Sequence, residues 1–153
     1  MNMSNEESFG ILKSIKKAYS IDSADVATYS PLTLAYIGDS VHSLVVKSVI
    51  TLRGNCSANQ LNKKTIEHVK AVNQAKVAQY YIDNMILSEE EADIMRRGRN
   101  AKSASVAKNA SVGEYRTATG LEALIGYLYL TDRTDRMIEL VRIGMEYIDT
   151  INK

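Results

Sequence analysis

The chain has 153 residues, of which 19 are Lys or Arg and 18 are Asp or Glu, so its net charge is only +1. A chain of this length can bury about two-thirds of its unfolded surface, which suits one self-sufficient domain spanning residues 1–153. The single Cys56 cannot form an intramolecular disulfide, and neither a signal-like start nor a charge-free run of membrane-spanning length is seen. We therefore expect a soluble, cytoplasmic protein.

Helical periodicity along the chain and a single proline predict an all-α fold. Ser30-Pro31 is typical of an N-cap followed by proline in the first helical position. Capping-box patterns mark further helix starts at Ser4-x-x-Glu7, Ser57-x-x-Gln60 and Ser88-x-x-Glu91. The predicted helices cover residues 5–19, 31–52, 58–83, 89–99, 118–131 and 134–151, with the third broken in two. The stretch from Gly98 to Ala118 is predicted to be irregular.

The second predicted helix carries Asp39 in a strongly apolar segment, Ser30 to Ile50. This setting is typical of a buried helix, where an unpaired carboxylate would cost several kcal/mol. A retained Asp therefore implies a partner, which could be a cation, a set of hydrogen-bond donors or a metal. Gly38 just before it is a poor helix former. The pair indicates either a functional site or a break, with Gly38 ending one helix and Asp39 capping the next.

Glu122 is the only acid in a second apolar segment, Thr119 to Leu130. Thr119-x-x-Glu122 fits a capping box, in which the Glu side chain would only satisfy backbone donors at a helix start. A functional carboxylate and a helix cap are both open at this point. The tyrosines of this segment are interpreted as core residues.

Positive charge is concentrated between these two acidic segments. The window from Arg96 to Arg116 carries a net +5, because Glu114 is its only acid. Double-stranded RNA is bound largely through phosphates and 2′-hydroxyls, which favours Arg, Lys, Ser and Asn. A solvated loop is the alternative, and Arg96 or Arg97 could instead cap a helix end. The predicted RNA-binding residues are Arg96, Arg97, Arg99, Asn100, Lys102, Lys108 and Arg116.

The two acidic segments together resemble the ribonuclease III family. Ile37 to Val41 is similar to its signature helix, and Glu122 to Gly126 matches its second acidic helix letter for letter. The likeness is greatest to the short branch called Mini-ribonuclease III, which lacks the double-stranded-RNA-binding domain. The segments that carry this likeness are Ala35 to Asp39, Arg96 to Lys102, Tyr115-Arg116 and Thr119 to Leu130.

The resemblance implies a helical, homodimeric endonuclease with the signature helix at its two-fold axis. It implies Asp39 and Glu122 as catalytic residues and Mg²⁺ ligands, and hydrolysis of double-stranded RNA to 5′-phosphate and 3′-hydroxyl ends. The substrate implied for this branch is the paired ends of precursor 23S ribosomal RNA. A ribosomal protein that prepares this RNA is a further candidate partner.

The chain also departs from the larger family. Leu32, Ala35 and Thr119 stand where classical members have acids, so the site is poor in carboxylates. This leaves an alternative, a catalytically silent RNA-binding or ribosome-associated module, and a weaker one, a helical dimerisation module. His42 lies three residues after Asp39 and is interpreted as a core residue, and His68 is predicted to be solvated. Neither histidine has a second ligand at zinc spacing.

Overall fold

The computed structural model describes residues 10–22, 24–102 and 110–153, and within these residues the predicted all-α fold is confirmed. A short 3-10 turn, Val26–Thr28, precedes the second helix. The predicted helix start at Ser4 and Glu7 lies outside the described residues. The α-helices are α1 (Gly10–Ala18), α2 (Pro31–Arg53), α3 (Ala58–Val69), α4 (Ala71–Asp83), α5 (Glu89–Asn100), α6 (Val112–Leu130) and α7 (Thr134–Ile151).

Local capping chemistry sets the starts of three helices, as predicted. Ser30 caps α2 by accepting a hydrogen bond from the Thr33 backbone N–H, and Ser57 caps α3 in the same way. Ser88 opens α5 with a complete capping box. The predicted break in the third helix is confirmed, since Lys70 adopts an extended conformation between α3 and α4. These helices begin where a side-chain oxygen can satisfy otherwise unpaired backbone donors.

The start of α6 was predicted wrongly. The helix begins at Val112, and its capping box is formed by Ser111 and Glu114. Thr119 lies well inside the helix, where its hydroxyl donates to the Tyr115 carbonyl at 3.0 Å. The Thr119-x-x-Glu122 pattern therefore caps nothing. The stretch predicted to be irregular is also shorter than expected, because α5 runs on to Asn100.

Helix α6 is the centre of the fold, and nearly every side chain from Ala118 to Tyr129 is buried. The tyrosines Tyr127 and Tyr129 are among them, as the sequence predicted. Helix α2 packs on one side of α6 and α5 on another, with α4 and α7 completing the surroundings. Two glycine-lined crossings hold α2 and α5 against it, and one of these crossings creates the candidate site.

At the first crossing, Gly38 of α2 meets α6. A Cβ atom on Gly38 would lie 1.7 Å from the Glu122 carbonyl oxygen, and one on Gly126 would lie 2.0 Å from the Leu34 carbonyl oxygen. Only glycine lets the two backbones approach this closely. The alternative in which Gly38 ends a helix is wrong, because α2 is continuous through it.

At the second crossing, Gly98 of α5 meets Gly120 of α6. A Cβ atom on Gly98 would lie 2.8 Å from the Gly120 Cα. The beginning of α5 is fixed separately, because the buried Glu91 carboxylate accepts two hydrogen bonds from Arg136 of α7, at 2.8 and 2.9 Å. The basic end of α5 is thereby held beside the middle of α6.

Among the described residues, none of the helices is both long and apolar enough to cross a bilayer.

Candidate active site

The crossing of α2 and α6 brings Asp39 and Glu122 together. Gly38 contacts the backbone of Glu122 itself, so the next residue of α2 lies beside the Glu122 side chain. The two carboxyl groups are hydrogen-bonded to each other. Asp39 is exposed, whereas Glu122 is partly buried. The expectation that Asp39 is buried is wrong for the single chain, because several apolar residues around it on α2 are themselves exposed.

The environment of Glu122 strongly disfavours the ionised form of its carboxyl group. Burial raises the pKa of Glu122 to about 9, with further increases from the hydrogen bond to Asp39 and from its charge. A hydrogen bond from the Gln74 side chain acts in the opposite direction and lowers this pKa. Two carboxylates this close cannot both ionise readily without a compensating positive charge. A cation between the two groups would relieve this repulsion.

The donor set consists of oxygen atoms and is small. Within the described ranges, no group of three or more His, Cys, Asp or Glu side chains gathers in a way that could hold a metal ion. Asp39 and Glu122 form only a pair. Mg²⁺ fits such a pair, since it keeps several waters and is commonly held by one or two carboxylates plus substrate phosphate oxygens.

Gln74 of α4 is a site neighbour that the sequence reasoning missed. Its side chain is 2% exposed, and its Nε2 donates to His42 Nδ1 at 3.3 Å. The Gln74 side chain also lies within interaction distance of the Glu122 carboxyl group. The local sequence Val72 to Lys76 is largely polar and gives no sign that one of its amides is buried.

The two histidines occupy different environments. His42 is buried, as predicted, and burial lowers its pKa to about 4, so it is neutral at pH 7. The prediction for His68 is wrong: the ring is buried and its Nε2 lies 3.1 Å from Asp149 Oδ1 on α7. Burial lowers the pKa of His68, and Asp149 opposes that effect. The residues around His68 in the sequence are mostly polar and suggested a solvated face, because they do not reveal the contact with Asp149 on α7.

The predicted RNA-binding residues are distributed over α5, the segment after it and α6. Helix α5 ends with Arg97 and Arg99 in its last turn, where their charge complements the helix dipole. Lys108 lies outside the described residues, and Arg116 belongs to α6 because that helix starts early. The exposed members of the set are Arg96, Arg97, Arg99, Asn100, Lys102 and Arg116.

An open groove of about 750 Å³ borders this basic surface, and Glu89 and Asp93 contribute acidic side chains to its lining. Arg96 and Arg99, one helical turn apart, both line it. Arg96 pairs with Asp93, and Arg99 Nε donates to the Thr117 hydroxyl at 3.4 Å. Because Arg99 also packs against Gly120, the groove lies close to the segment of α6 that carries Glu122.

Comparison with known proteins identifies this arrangement. The family model for the ribonuclease III domain matches residues 32–133, which include both Asp39 and Glu122. Mini-ribonuclease 3 of Thermoanaerobacter sp. (strain X514) is 44% identical over 124 residues, covering 81% of this chain and 86% of that protein. The chain belongs to the Mini-ribonuclease 3 group of the ribonuclease III family.

Further comparisons agree with membership of the Mini-ribonuclease 3 group. Mini-ribonuclease 3 of Clostridium tetani is 43% identical over 122 residues, covering 78% of each chain. A crystal structure of a protein from Fusobacterium nucleatum superposes with a TM-score of 0.70 at 31% identity, covering 81% of this chain and 98% of that one. The resemblance read from the sequence is confirmed, and as a Mini-ribonuclease 3 the protein is an endoribonuclease.

Proposed function

We propose that this endoribonuclease is Mg²⁺-dependent and cleaves double-stranded RNA, with Asp39 and Glu122 as the catalytic metal ligands. The observation that carries the proposal is the meeting of these two carboxyl groups at the Gly38 crossing. Their mutual contact and the raised pKa of Glu122 favour a cation at this point. Asp39 is exposed and can face a substrate phosphate, while Glu122 holds the inner side of the site.

The chemistry assigned to this pair is hydrolysis of a phosphodiester. When bound, Mg²⁺ supplies Lewis-acid stabilisation of the charge that develops on the phosphate and on the leaving 3′ oxygen. The two carboxylates provide the negative charge that retains the cation, and the α2–α6 crossing fixes their separation. As the family resemblance implies, the products carry 5′-phosphate and 3′-hydroxyl ends.

A single cleavage assay tests this proposal. Purified protein is incubated with an end-labelled RNA duplex, with either of its single strands, and with a stem formed by the paired ends of precursor 23S ribosomal RNA. We expect cleavage of the duplexes in Mg²⁺ and none after chelation. Tight duplex binding without cleavage would favour the silent RNA-binding alternative, and cleavage unaffected by chelator would contradict the metal role.

The substrate and its setting rest on the family resemblance. We assign the paired ends of precursor 23S ribosomal RNA as the natural target, in the cytoplasm, with a ribosomal protein as a candidate factor that prepares this RNA. The basic surface supports an RNA partner, because Arg, Lys and Asn side chains suit phosphates and 2′-hydroxyls in a shallow minor groove.

We expect Arg99 and Lys102 to contact RNA phosphates. Changing both to Ala should weaken duplex binding for all sequences and flatten the slope of log affinity against log salt by somewhat under ~1 unit for each phosphate that is no longer bound. Cleavage at saturating RNA should fall less than binding does, because these side chains position the duplex. Binding measured over a series of salt concentrations checks this.

Arg142→Ala is the matched control for the basic surface. Arg142 is an exposed arginine on α7, paired with Glu146, and its removal should leave the salt slope unchanged. An equal change of slope in both proteins would show that general charge, and not this surface, governs RNA binding.

We also propose that the protein is a homodimer assembled around α2. This helix exposes apolar side chains that a single chain leaves uncovered: Tyr36 is 81% exposed, Leu44 52% and Leu32 37%. The three residues lie at intervals of four or eight positions, so they share one side of the helix. Because Asp39 lies on the same helix, dimerisation would place two acidic sites near one axis.

Tyr36→Glu tests the dimer. A charged side chain in an apolar interface should shift the protein to monomers at micromolar concentration, which sedimentation velocity measures directly. Ile138→Glu is the control, since Ile138 is an apolar residue of α7 that is 45% exposed, and its substitution away from α2 should leave the dimer intact. A Tyr36→Glu protein that sediments like a dimeric parent would contradict this interface.

A further inference from the structure

A buried polar pair lies behind the acidic site. Gln74 of α4 and His42 of α2 are 2% and 6% exposed, and Gln74 Nε2 lies 3.3 Å from His42 Nδ1. Because His42 is neutral at pH 7, its Nδ1 can accept this hydrogen bond from the amide. In the tautomer whose Nδ1 carries no proton, that nitrogen accepts the bond and the NH₂ end of the Gln74 amide faces His42.

The same amide reaches the acidic site. The Gln74 side chain also lies within interaction distance of the Glu122 carboxyl group, to which its amide can donate a hydrogen bond. An amide NH₂ group has two N–H donors, so it can serve His42 Nδ1 and a Glu122 oxygen together. Gln74 is thus an uncharged donor on α4 that faces Glu122 on α6. Its amide is oriented by His42 on α2.

We propose that Gln74 is a positioning residue, whose amide, held by His42, fixes the Glu122 carboxyl group in the orientation it needs to share a cation with Asp39. The inference rests on the proposed function of Glu122 and adds to it. Groups that hydrogen-bond to metal-binding carboxylates orient them, and their removal commonly costs 10–100-fold in metal affinity or activity.

Asn73, the residue before Gln74, is a buried amide on α4 with a purely structural contact. Asn73 is 3% exposed, and its Nδ2 donates to the Glu67 carbonyl at 2.6 Å. That bond ties the start of α4 to the end of α3. Asn73 and Gln74 are therefore adjacent buried amides of one helix, one serving the backbone of a helix junction and the other a candidate catalytic side chain.

The experiment compares Gln74→Met with Asn73→Leu. Each substitution replaces a buried amide by an apolar side chain of similar size, and each should lower the melting temperature. For Gln74→Met we expect single-turnover cleavage, normalised to folded protein, to fall about 10–100-fold, with duplex affinity within about twofold of the parent. The Mg²⁺ concentration for half-maximal rate should rise. Asn73→Leu, normalised to folded protein in the same way, should match the parent in cleavage rate, duplex affinity and Mg²⁺ requirement.

A second readout does not involve turnover. In RNA-free protein, the rise in melting temperature on adding a fixed Mg²⁺ concentration reports binding to the folded state. This rise should be smaller in Gln74→Met than in the parent, and unchanged in Asn73→Leu. If Gln74→Met does not fold, Gln74→Asn, which withdraws the same amide by one methylene, should show the same losses.

Two results would overturn the inference: a parental Mg²⁺ response in the folded Gln74 variant, or equal normalised losses in Gln74→Met and Asn73→Leu. The role of Glu122 is tested separately by Glu122→Gln. If that variant is inactive while Gln74→Met behaves like the parent, only the positioning role fails. If Glu122→Gln cleaves normally, the proposed site itself fails.

Discussion

Glu122→Gln is expected to lower the rate of duplex cleavage by about a thousand-fold, because it removes a charge that holds the cation and several kcal/mol of transition-state stabilisation depend on that cation. The substitution preserves side-chain size. It also removes the unfavourable approach of two acids, so the variant should be at least as stable as the parent in metal-free buffer. Single-turnover cleavage and thermal unfolding measure the two effects.

The pH dependence of stability also reports the unfavourable approach of these two acids. The folded-state pKa of Glu122 is raised to about 9 from 4.5, so between these values the folded state retains a proton that the unfolded state has released. Stability in metal-free buffer therefore falls as pH rises towards 9. This fall should be smaller in Glu122→Gln, because glutamine does not titrate.

Glu114→Gln is the matched control on the same helix. Glu114 accepts a hydrogen bond from the Ser111 backbone N–H in the capping box of α6, and the glutamine carbonyl can do the same. We expect parental cleavage from Glu114→Gln. A parental rate in Glu122→Gln, or an equal loss in both variants, would contradict a catalytic role for Glu122.

Gly38→Ala is expected to destabilise the protein by about 3 kcal/mol or more, although alanine is the better helix former by ~1 kcal/mol. The new methyl group would lie 1.7 Å from the Glu122 carbonyl oxygen and 2.8 Å from the Gly126 backbone nitrogen. Backbone atoms cannot rotate away as a side chain can, so the two helices must separate. Denaturant unfolding measures the decrease in stability, and cleavage should fall because the acids move apart.

Gly113→Ala supplies the comparison for the glycine substitution. Gly113 lies in the first turn of α6, and the nearest atom to an added Cβ would be the Ser111 hydroxyl oxygen at 3.9 Å. Helix propensity should act alone there, giving a change between neutral and ~1 kcal/mol of stabilisation. A Gly38→Ala protein as stable as Gly113→Ala would mean that the α2–α6 crossing is looser than the structure has it.

Features that depend on neighbouring residues could be predicted from the sequence. The starts of α2, α3 and α5 follow from Ser30, Ser57 and Ser88, because a helix cap is made by side chains within one turn of the helix start. The start of α6 could not be predicted reliably, since Ser111-x-x-Glu114 and Thr119-x-x-Glu122 offer the same pattern. Only packing decides between them.

The candidate site depends on contacts between distant parts of the chain. The family resemblance, and not periodicity, brought Asp39 and Glu122 into one hypothesis. Gly38 was recognised as unusual, but its reason, a contact with the Glu122 backbone, lies on another helix. Gln74 was missed for the same reason, because burial of a polar side chain is a tertiary property that composition does not reveal.

Asp39 and Glu122 are proposed to act as one catalytic unit. Single-turnover cleavage of an RNA duplex by Asp39→Asn, by Glu122→Gln and by the double variant tests this most directly, with folding of each variant checked by thermal unfolding. If the two acids hold one cation, removing either disables the site, so all three rates should agree within a few-fold. A double variant whose loss equals the product of the two single losses, or a single variant that cleaves at the parental rate, would contradict a shared catalytic role.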